Sequence, residues 1–149
     1  MLYDSVGNVQ LMQKINRLKV LECLRLKGPM PRPEIARITG LSPSSITNIV
    51  TYLIEKKLVL EMGPIESREV GRKAILVKFN PNAADVVAIN IEASNVTIAL
   101  TNLEGDIKEV RKLDVSKQEK DFEILSKIKR EVNTLVDSNS NIGGIGVAV

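Results

Sequence analysis

Small polar side chains cluster in one short segment of this chain. Between residues 42 and 51 stand hydroxyl and amide groups that can donate or accept hydrogen bonds: Ser42, Ser44, Ser45, Thr47, Asn48 and Thr51. Such groups can bond to base edges and to phosphate oxygens. A helix face that is merely solvated would more often carry Lys and Glu. The segment therefore has the chemistry of a surface that contacts double-stranded DNA.

Two short helices joined by a tight turn would present these side chains. Gly40 should end the first helix, because glycine adopts the left-handed conformation at no side-chain cost. Ser42 caps the second helix, and Pro43 suits its first position. Apolar residues recur at helical spacing in residues 31–58: Ile35, Ala36, Ile38, Ile46, Ile49, Val50 and Leu53. The pattern predicts a helix-turn-helix whose second helix reads the major groove. The alternative is a helical hairpin inside an all-α domain.

A supporting helix should precede this pair. Residues 9–27 place one set of apolar side chains on a single helical stripe: Leu11, Met12, Ile15, Leu18, Leu21 and Leu24. We expect this stripe to pack beneath the other two helices, and residues 1–8 to form a loose arm. The basic residues of the helix either contact phosphates or are simply solvated: Lys14, Arg17, Lys19 and Arg25.

A β-hairpin should follow the helices as a wing. Residues 58–60 and 74–79 have strand patterns, and Gly71, Arg72 and Lys73 lie at the predicted tip. A glycine beside two cations suits the minor groove, where narrow A·T tracts concentrate negative potential. The alternative is an ordinary charged hairpin loop. With Arg32, at the start of the first short helix, Arg72 and Lys73 complete the candidate DNA-binding residues.

Composition limits the classes of protein. The chain has 149 residues, no His and one Cys, so we expect no transition-metal site and a buried structural thiol at Cys23 in a reducing compartment. The first residues do not have the pattern of a signal peptide, and no run approaches membrane-spanning length, which predicts a soluble cytoplasmic protein. Residues 1–79 carry thirteen Lys and Arg against seven Asp and Glu, whereas residues 80–149 carry eight against eleven. A basic DNA-binding module followed by a more acidic domain would have this asymmetry.

The second half is predicted to be a β-rich domain. Strands are expected at 86–91, 96–101 and 107–115, after a boundary at Asn80-Pro81-Asn82. A covering helix at 121–136 should bury one face: Phe122, Leu125, Ile128, Val132 and Leu135. The apolar run 145–149 is predicted to be a buried fourth strand, which needs neighbours on both faces. We therefore expect either a larger domain truncated after its fourth strand or a partner that completes the sheet.

These segments together resemble the N-terminal part of the ROK (repressor, open reading frame, kinase) family of sugar-responsive regulators. The resemblance covers residues 8–149 and is carried by INRLKVLECLRLKGPMPRPEIARITGLSPSSITNIVTYLIEKKLV, GRKAILVKFNP and VVAINIEASNVTIALTNLEGDI. It implies an α/β (α+β overall) chain, with a winged helix-turn-helix domain at 1–80 and the first part of an actin-like, ribonuclease-H-like ATPase domain at 81–149. It also implies a repressor that binds operator DNA as a homo-oligomer, a dimer or tetramer, and responds to a sugar only when the full ROK domain is present.

The turn after the first strand departs from the pattern of the family's kinases. Those kinases have an Asp, two glycines and a Thr there, where this chain has Asn90, Glu92, Ala93 and Ser94. Glu92 would repel phosphates where glycine lets them approach. We therefore expect no catalytic residue, no cofactor and no enzyme activity, and a DNA-binding regulator of sugar-utilisation genes such as those for xylose. The alternatives are a sugar kinase or its remnant, and a truncated interaction protein that pairs with full-length regulators.

Overall fold

The computed structural model describes residues 4–63, 75–116 and 118–149. These residues form two compact units, Met1–Asn80 and Pro81–Val149, each with its own hydrophobic core. The predicted wing tip, Gly71, Arg72 and Lys73, lies outside the described residues. None of the helices in the described part is long and apolar enough to cross a membrane.

The first unit consists of three helices and a small antiparallel sheet. Its elements, in chain order, are α1 (Asp4–Lys27), β1 (Met30–Pro31), α2 (Arg32–Thr39), α3 (Pro43–Glu55), β2 (Val59–Glu61) and β3 (Leu76–Phe79). The sheet order is β1-β3-β2. The two-stranded wing was predicted, but β1 was not, because Met30 pairs with Val77, far away in the sequence. The core contains residues from all three helices and from the sheet.

The turn between α2 and α3 forms as the sequence predicted. Gly40 has a φ of 71°, and its N–H donates to the carbonyl of Ala36 at 2.9 Å, which ends α2. The Ser42 hydroxyl then accepts a hydrogen bond from the Ser45 N–H at 3.2 Å, so Ser42 is the N-cap of α3. Pro43 is the first residue of that helix. These local bonds fix where each helix begins and ends.

The supporting helix was predicted, and so was its last residue, but its start and its buried face were not. α1 begins at Asp4 rather than near residue 9, so the predicted loose arm is helical from Asp4 onward. The predicted stripe is wrong for its first four members, which are 42 to 57% exposed: Leu11, Met12, Ile15 and Leu18. Among residues 8–27 of α1, the buried ones are Val20, Cys23 and Leu24. Within residues 8–27, the core residues therefore come from the C-terminal half of the helix.

The second unit is a four-stranded mixed sheet with one helix. A 3₁₀ turn at Pro81–Ala83 precedes β4 (Asp85–Ile91), β5 (Asn95–Asn102), β6 (Ile107–Asp114), α4 (Asp121–Ser138) and β7 (Ile142–Ala148). The sheet order is β6-β5-β4-β7, antiparallel except for the parallel pair β4 and β7. Gly143 in β7 lies so close to the residue before β4 that an added Cβ would be 2.9 Å from the Cβ of Ala84. A glycine is therefore required at that position for close packing.

Two predictions for this unit were wrong in their details. Phe122 and Leu125 are 62% and 53% exposed, because the inward stripe of α4 runs instead through Ile124, Ile128, Val132 and Leu135. The strand predicted to be buried, β7, lies at the edge of the four-stranded sheet. Its Ile145 and Val147 are more than half exposed, because side chains project from the faces of a sheet and α4 packs mainly over β5 and β6.

Candidate nucleic-acid interface

Helix α3 has one apolar face and one polar face. Ile46, Val50 and Leu53 are 0 to 1% exposed and belong to the core of the first unit. The polar side chains predicted to contact DNA lie outside this core: Ser42, Ser44, Thr47, Asn48 and Thr51 are exposed, and Ser45 is half-buried. The structure therefore presents these polar side chains together, on the N-cap and the first two and a half turns, roughly, of one helix. Burial of the opposite face fixes the direction in which this set points.

The start of α3 carries a cluster of three serine hydroxyls. The Ser42 Oγ lies 3.1 Å from the Ser44 Oγ, and it donates to the Ser45 Oγ at 2.9 Å. One helical turn later, the Thr47 hydroxyl donates to the Pro43 carbonyl at 3.0 Å, as hydroxyls commonly do inside helices. These hydroxyls keep acceptor lone pairs for a ligand. Asn48 has an exposed amide with two donors and one acceptor, the group that pairs with adenine in the major groove.

Two arginines of α2 are held by carboxylates, and only the first of them was a candidate from the sequence. Arg32, named from the sequence as a DNA contact, pairs through its terminal nitrogen with Glu61 of β2 at 2.7 Å, and its Nε is a buried nitrogen with no hydrogen-bond partner. Arg37 pairs with Glu34 on the same helix. The hydrogen bond from Arg37 lowers the pKa of Glu34 and raises the pKa of Arg37 itself. Each pair therefore offers a partly neutralised charge to an incoming phosphate.

A different arginine lies beside α3, on a neighbouring helix. The Arg17 guanidinium of α1 stacks over the Tyr52 ring, with its central carbon 3.6 Å from the ring centroid. The Lys56 ammonium lies 5.8 Å from the same centroid. An open cleft of about 230 Å³ lies between α1 and α3, and Arg17, Tyr52, Ser45 and Asn48 line it. The sequence named Arg17 only as one of four basic residues on α1, and it gave no role to Tyr52.

The single cysteine is structural, as the sequence predicted. Cys23 is 7% exposed, and burial raises the pKa of its thiol. Its Sγ lies 3.8 Å from the Met30 Sδ within the core of the first unit. Within residues 4–63, 75–116 and 118–149, no three His, Cys, Asp or Glu side chains come together as a metal site would require.

Comparison with known proteins found similar sequences, some of which cover both units. Residues 13–59 match a family model described as winged helix-turn-helix DNA-binding. The xylose repressors of Bacillus subtilis strain 168 and Caldicellulosiruptor bescii are each 26% identical over 148 residues, which is 97% of this chain and 38% and 37% of theirs. The DNA-binding transcriptional dual regulator NagC of Escherichia coli K12 is 28% identical over 103 residues, 69% of this chain and 25% of its own length.

A solved structure gives the same fold over both units. The crystal structure of a ROK family transcriptional regulator, a homolog of E. coli MLC protein, matches 91% of this chain and 35% of its own with a TM-score of 0.72 at 24% identity. The chain is similar to the N-terminal part of the ROK-family regulators. It spans just over a third of the length of the xylose repressors it matches. The predicted fold class, a winged helix-turn-helix followed by the first part of a ROK domain, is confirmed.

The ROK-like sheet has a carboxylate at its first turn. The Glu92 carboxylate accepts hydrogen bonds from the Asn90 amide at 2.8 Å and the Asn95 amide at 3.0 Å. The Glu92 N–H donates to the Asn95 carbonyl at 2.9 Å, which closes the turn between β4 and β5. Two amides therefore hold a negative charge at the position where the resemblance to ROK kinases places the phosphates of a nucleotide.

Proposed function

We propose that this chain is the operator-binding part of a sugar-responsive transcriptional repressor, with a DNA-binding domain at 1–80 and part of a ROK domain at 81–149. The observation that carries the proposal is the two-faced α3: its apolar face is fully buried, and its polar face lies exposed. In a helix-turn-helix, the equivalent face lies in the major groove. Relatives that are named repressors of xylose and N-acetylglucosamine systems support the same function.

The proposal assigns different roles to the candidate residues. Asn48, Ser44 and Ser45 would contact base edges, while Ser42, Thr47 and Thr51 would bond to phosphates or bases at the sides of the groove. Arg32 would contribute only after its pair with Glu61 opens. Arg72 and Lys73 are proposed as minor-groove contacts of the wing, and the sequence alone supports this role. Replacing Arg72 with Ala should then lower affinity and the preference for A·T-rich flanks.

The decisive experiment is selection of duplex DNA by the unaltered chain from a randomised library, followed by titration of the selected duplex and an unrelated one. We expect Asn48→Ala to reduce the preference for the selected duplex by about 5- to 150-fold, since one good bidentate base contact contributes about 1–3 kcal/mol. Asn133→Ala removes an exposed amide from α4 of the other unit and is the matched control. Failure of the unaltered chain to select any sequence would overturn the proposal.

The proposal includes self-association and a sugar effector. Operators of helix-turn-helix proteins are commonly read by dimers with two half-sites, so we expect two-fold symmetric selected sequences. A sugar would bind to parts of a ROK domain beyond the 149 residues. Xylose and N-acetylglucosamine should therefore leave the DNA affinity of this chain unchanged, while they alter that of a form extended to full ROK length.

The proposal gives the chain no kinase activity. Glu92, held by two asparagine amides, would repel nucleotide phosphates at the turn where ROK kinases bring them close. We expect no ATP-dependent phosphorylation of xylose or N-acetylglucosamine by the purified chain. Transfer of label from γ-labelled ATP to either sugar would show that this part of the proposal is wrong.

A further inference from the structure

The cleft between α1 and α3 combines polar groups from two helices. Gln13, Asn16 and Arg17 of α1 line one side, and Ser45, Asn48 and Tyr52 of α3 line the other. Ser45 and Asn48 also belong to the proposed base-reading face. Any duplex that contacts this face would therefore pass directly beside the α1 side of the cleft.

Arg17 is held in a fixed orientation at this cleft. Its guanidinium lies 3.6 Å above the Tyr52 ring, which occupies one face of the planar cation and leaves the N–H groups at its edge free to donate. In the part of the chain that the structure describes, no carboxylate forms an ion pair with Arg17. Lys56 adds a second positive charge near the same ring. The site therefore has two cations within about 6 Å of one aromatic ring.

This arrangement fits a phosphate ester better than a base. A guanidinium pairs with two phosphate oxygens through two parallel N–H groups, and stacking on an aromatic ring reduces the conformational freedom lost on binding. The neighbouring amides of Gln13 and Asn16 can donate to further oxygens of the backbone. The anionic ligand that must lie beside Ser45 and Asn48 in the proposed function is the sugar-phosphate backbone of the duplex.

We propose that α1 is a second DNA-contacting element, in which Arg17, positioned by Tyr52 and assisted by Asn16, binds a backbone phosphate at the edge of the groove that α3 reads. The proposal rests on the proposed function and extends it. Arg17 sets affinity and register, whereas Asn48 and its neighbours set sequence preference. Tyr52 is a positioning residue, which acts through its ring and not through its hydroxyl.

The test compares Arg17→Met with Lys19→Met, which removes the same charge from an exposed position of α1 outside the cleft. Affinity for the selected duplex and for an unrelated duplex is measured over a series of salt concentrations. We expect Arg17→Met to lower both affinities by about tenfold, as loss of a charge-assisted hydrogen bond does, with the ratio between duplexes unchanged. The slope of log affinity against log salt should become shallower by about 0.9, the value for one phosphate contact.

Variants of Tyr52 test the positioning role. Tyr52→Phe keeps the ring and should bind like the unaltered chain, whereas Tyr52→Leu should lose most of what Arg17→Met loses. Arg17→Lys keeps the positive charge but removes the planar guanidinium. It should bind DNA more weakly while the slope of log affinity against log salt stays unchanged. This variant also tests the inference if Arg17→Met does not fold. The inference would be overturned if Arg17→Met and Lys19→Met lowered DNA affinity equally. It would also be overturned if Arg17→Met had the same salt slope as the unaltered chain. Absence of any selected duplex for the unaltered chain would instead refute the proposed function.

Discussion

Ser42 has two roles that three substitutions can separate. Its hydroxyl caps α3 by accepting from the Ser45 N–H, and its exposed position beside Ser44 makes it a proposed phosphate contact. Ser42→Ala removes the acceptor. Ser42→Asn keeps a neutral acceptor, and Ser42→Asp keeps an acceptor while it adds a negative charge. The ranking of the three variants by stability should therefore differ from their ranking by DNA affinity.

The expected changes in stability follow from capping. Loss of a serine N-cap costs about 1 kcal/mol, which for a unit of this size lowers the melting temperature by about 4–8 °C. Ser42→Asn should be close to the unaltered chain, because Asn caps as well as Ser. Ser42→Asp should be as stable as the unaltered chain or more stable by about 0.3–1 kcal/mol, because a negative charge is favourable at a helix N-terminus. Stability should thus rank Asp, Asn and then Ala.

DNA affinity should follow a different order. A carboxylate about 4 Å from a phosphate is repelled by about 1 kcal/mol in water, which corresponds to about fivefold weaker binding at low salt. Thermal unfolding gives the first ranking, and fluorescence anisotropy with the selected duplex gives the second. We expect Ser42→Asp to be the weakest binder among the folded variants, with the deficit shrinking as salt is added. Equal affinities of the Asp and Asn variants would refute the placement of Ser42 next to the phosphate backbone.

Three further substitutions test other parts of the structure. Ile46→Ala should cost about 2–5 kcal/mol in urea unfolding, because Ile46 is fully buried; a smaller loss would contradict the assigned core. Glu61→Gln should release Arg32 and tighten DNA binding with little change in stability, and weaker binding would argue against a DNA role for Arg32. Gly143→Ala should lower the melting temperature of the second unit, whereas the matched Gly144→Ala meets open space and should not; equal effects would show that close packing is not the cause.

Local signals made the helix-turn-helix predictable. The end of α2 and the start of α3 depend on residues within one turn of Gly40 and Ser42, so their bonds follow from neighbouring residue types. The short strand β1 gave no such signal, because its two residues become a strand only by pairing with β3, more than forty positions away. Contacts between distant segments were therefore the part of the fold that the sequence could not supply.

The spacing of apolar residues predicted the helices correctly, but it predicted the wrong buried face at the N-terminal ends of α1 and α4, which extend beyond the hydrophobic cores. The apolar stripes of α1 and α4 were both assigned by counting apolar residues at helical spacing. In each case the N-terminal members of the stripe, such as Leu11 and Phe122, are exposed. Helical spacing states which residues share a face, but burial depends on whether another element lies opposite that face.

The inward face of α1 contains a signal that counting apolar residues overlooks. Residues 13, 17, 20 and 24 share one helical stripe by their spacing, and along it the side chains change from Gln and Arg to Val and Leu. The apolar end is buried in the core, and the polar end faces the cleft beside α3. Polar side chains on the inward face of a helix need hydrogen-bond partners. These partners are either buried polar groups of the same domain or an external ligand. Arg17 stacks on Tyr52, and no carboxylate among the described residues pairs with it, so the external ligand is the better explanation. The salt slope of Arg17→Met tests it directly.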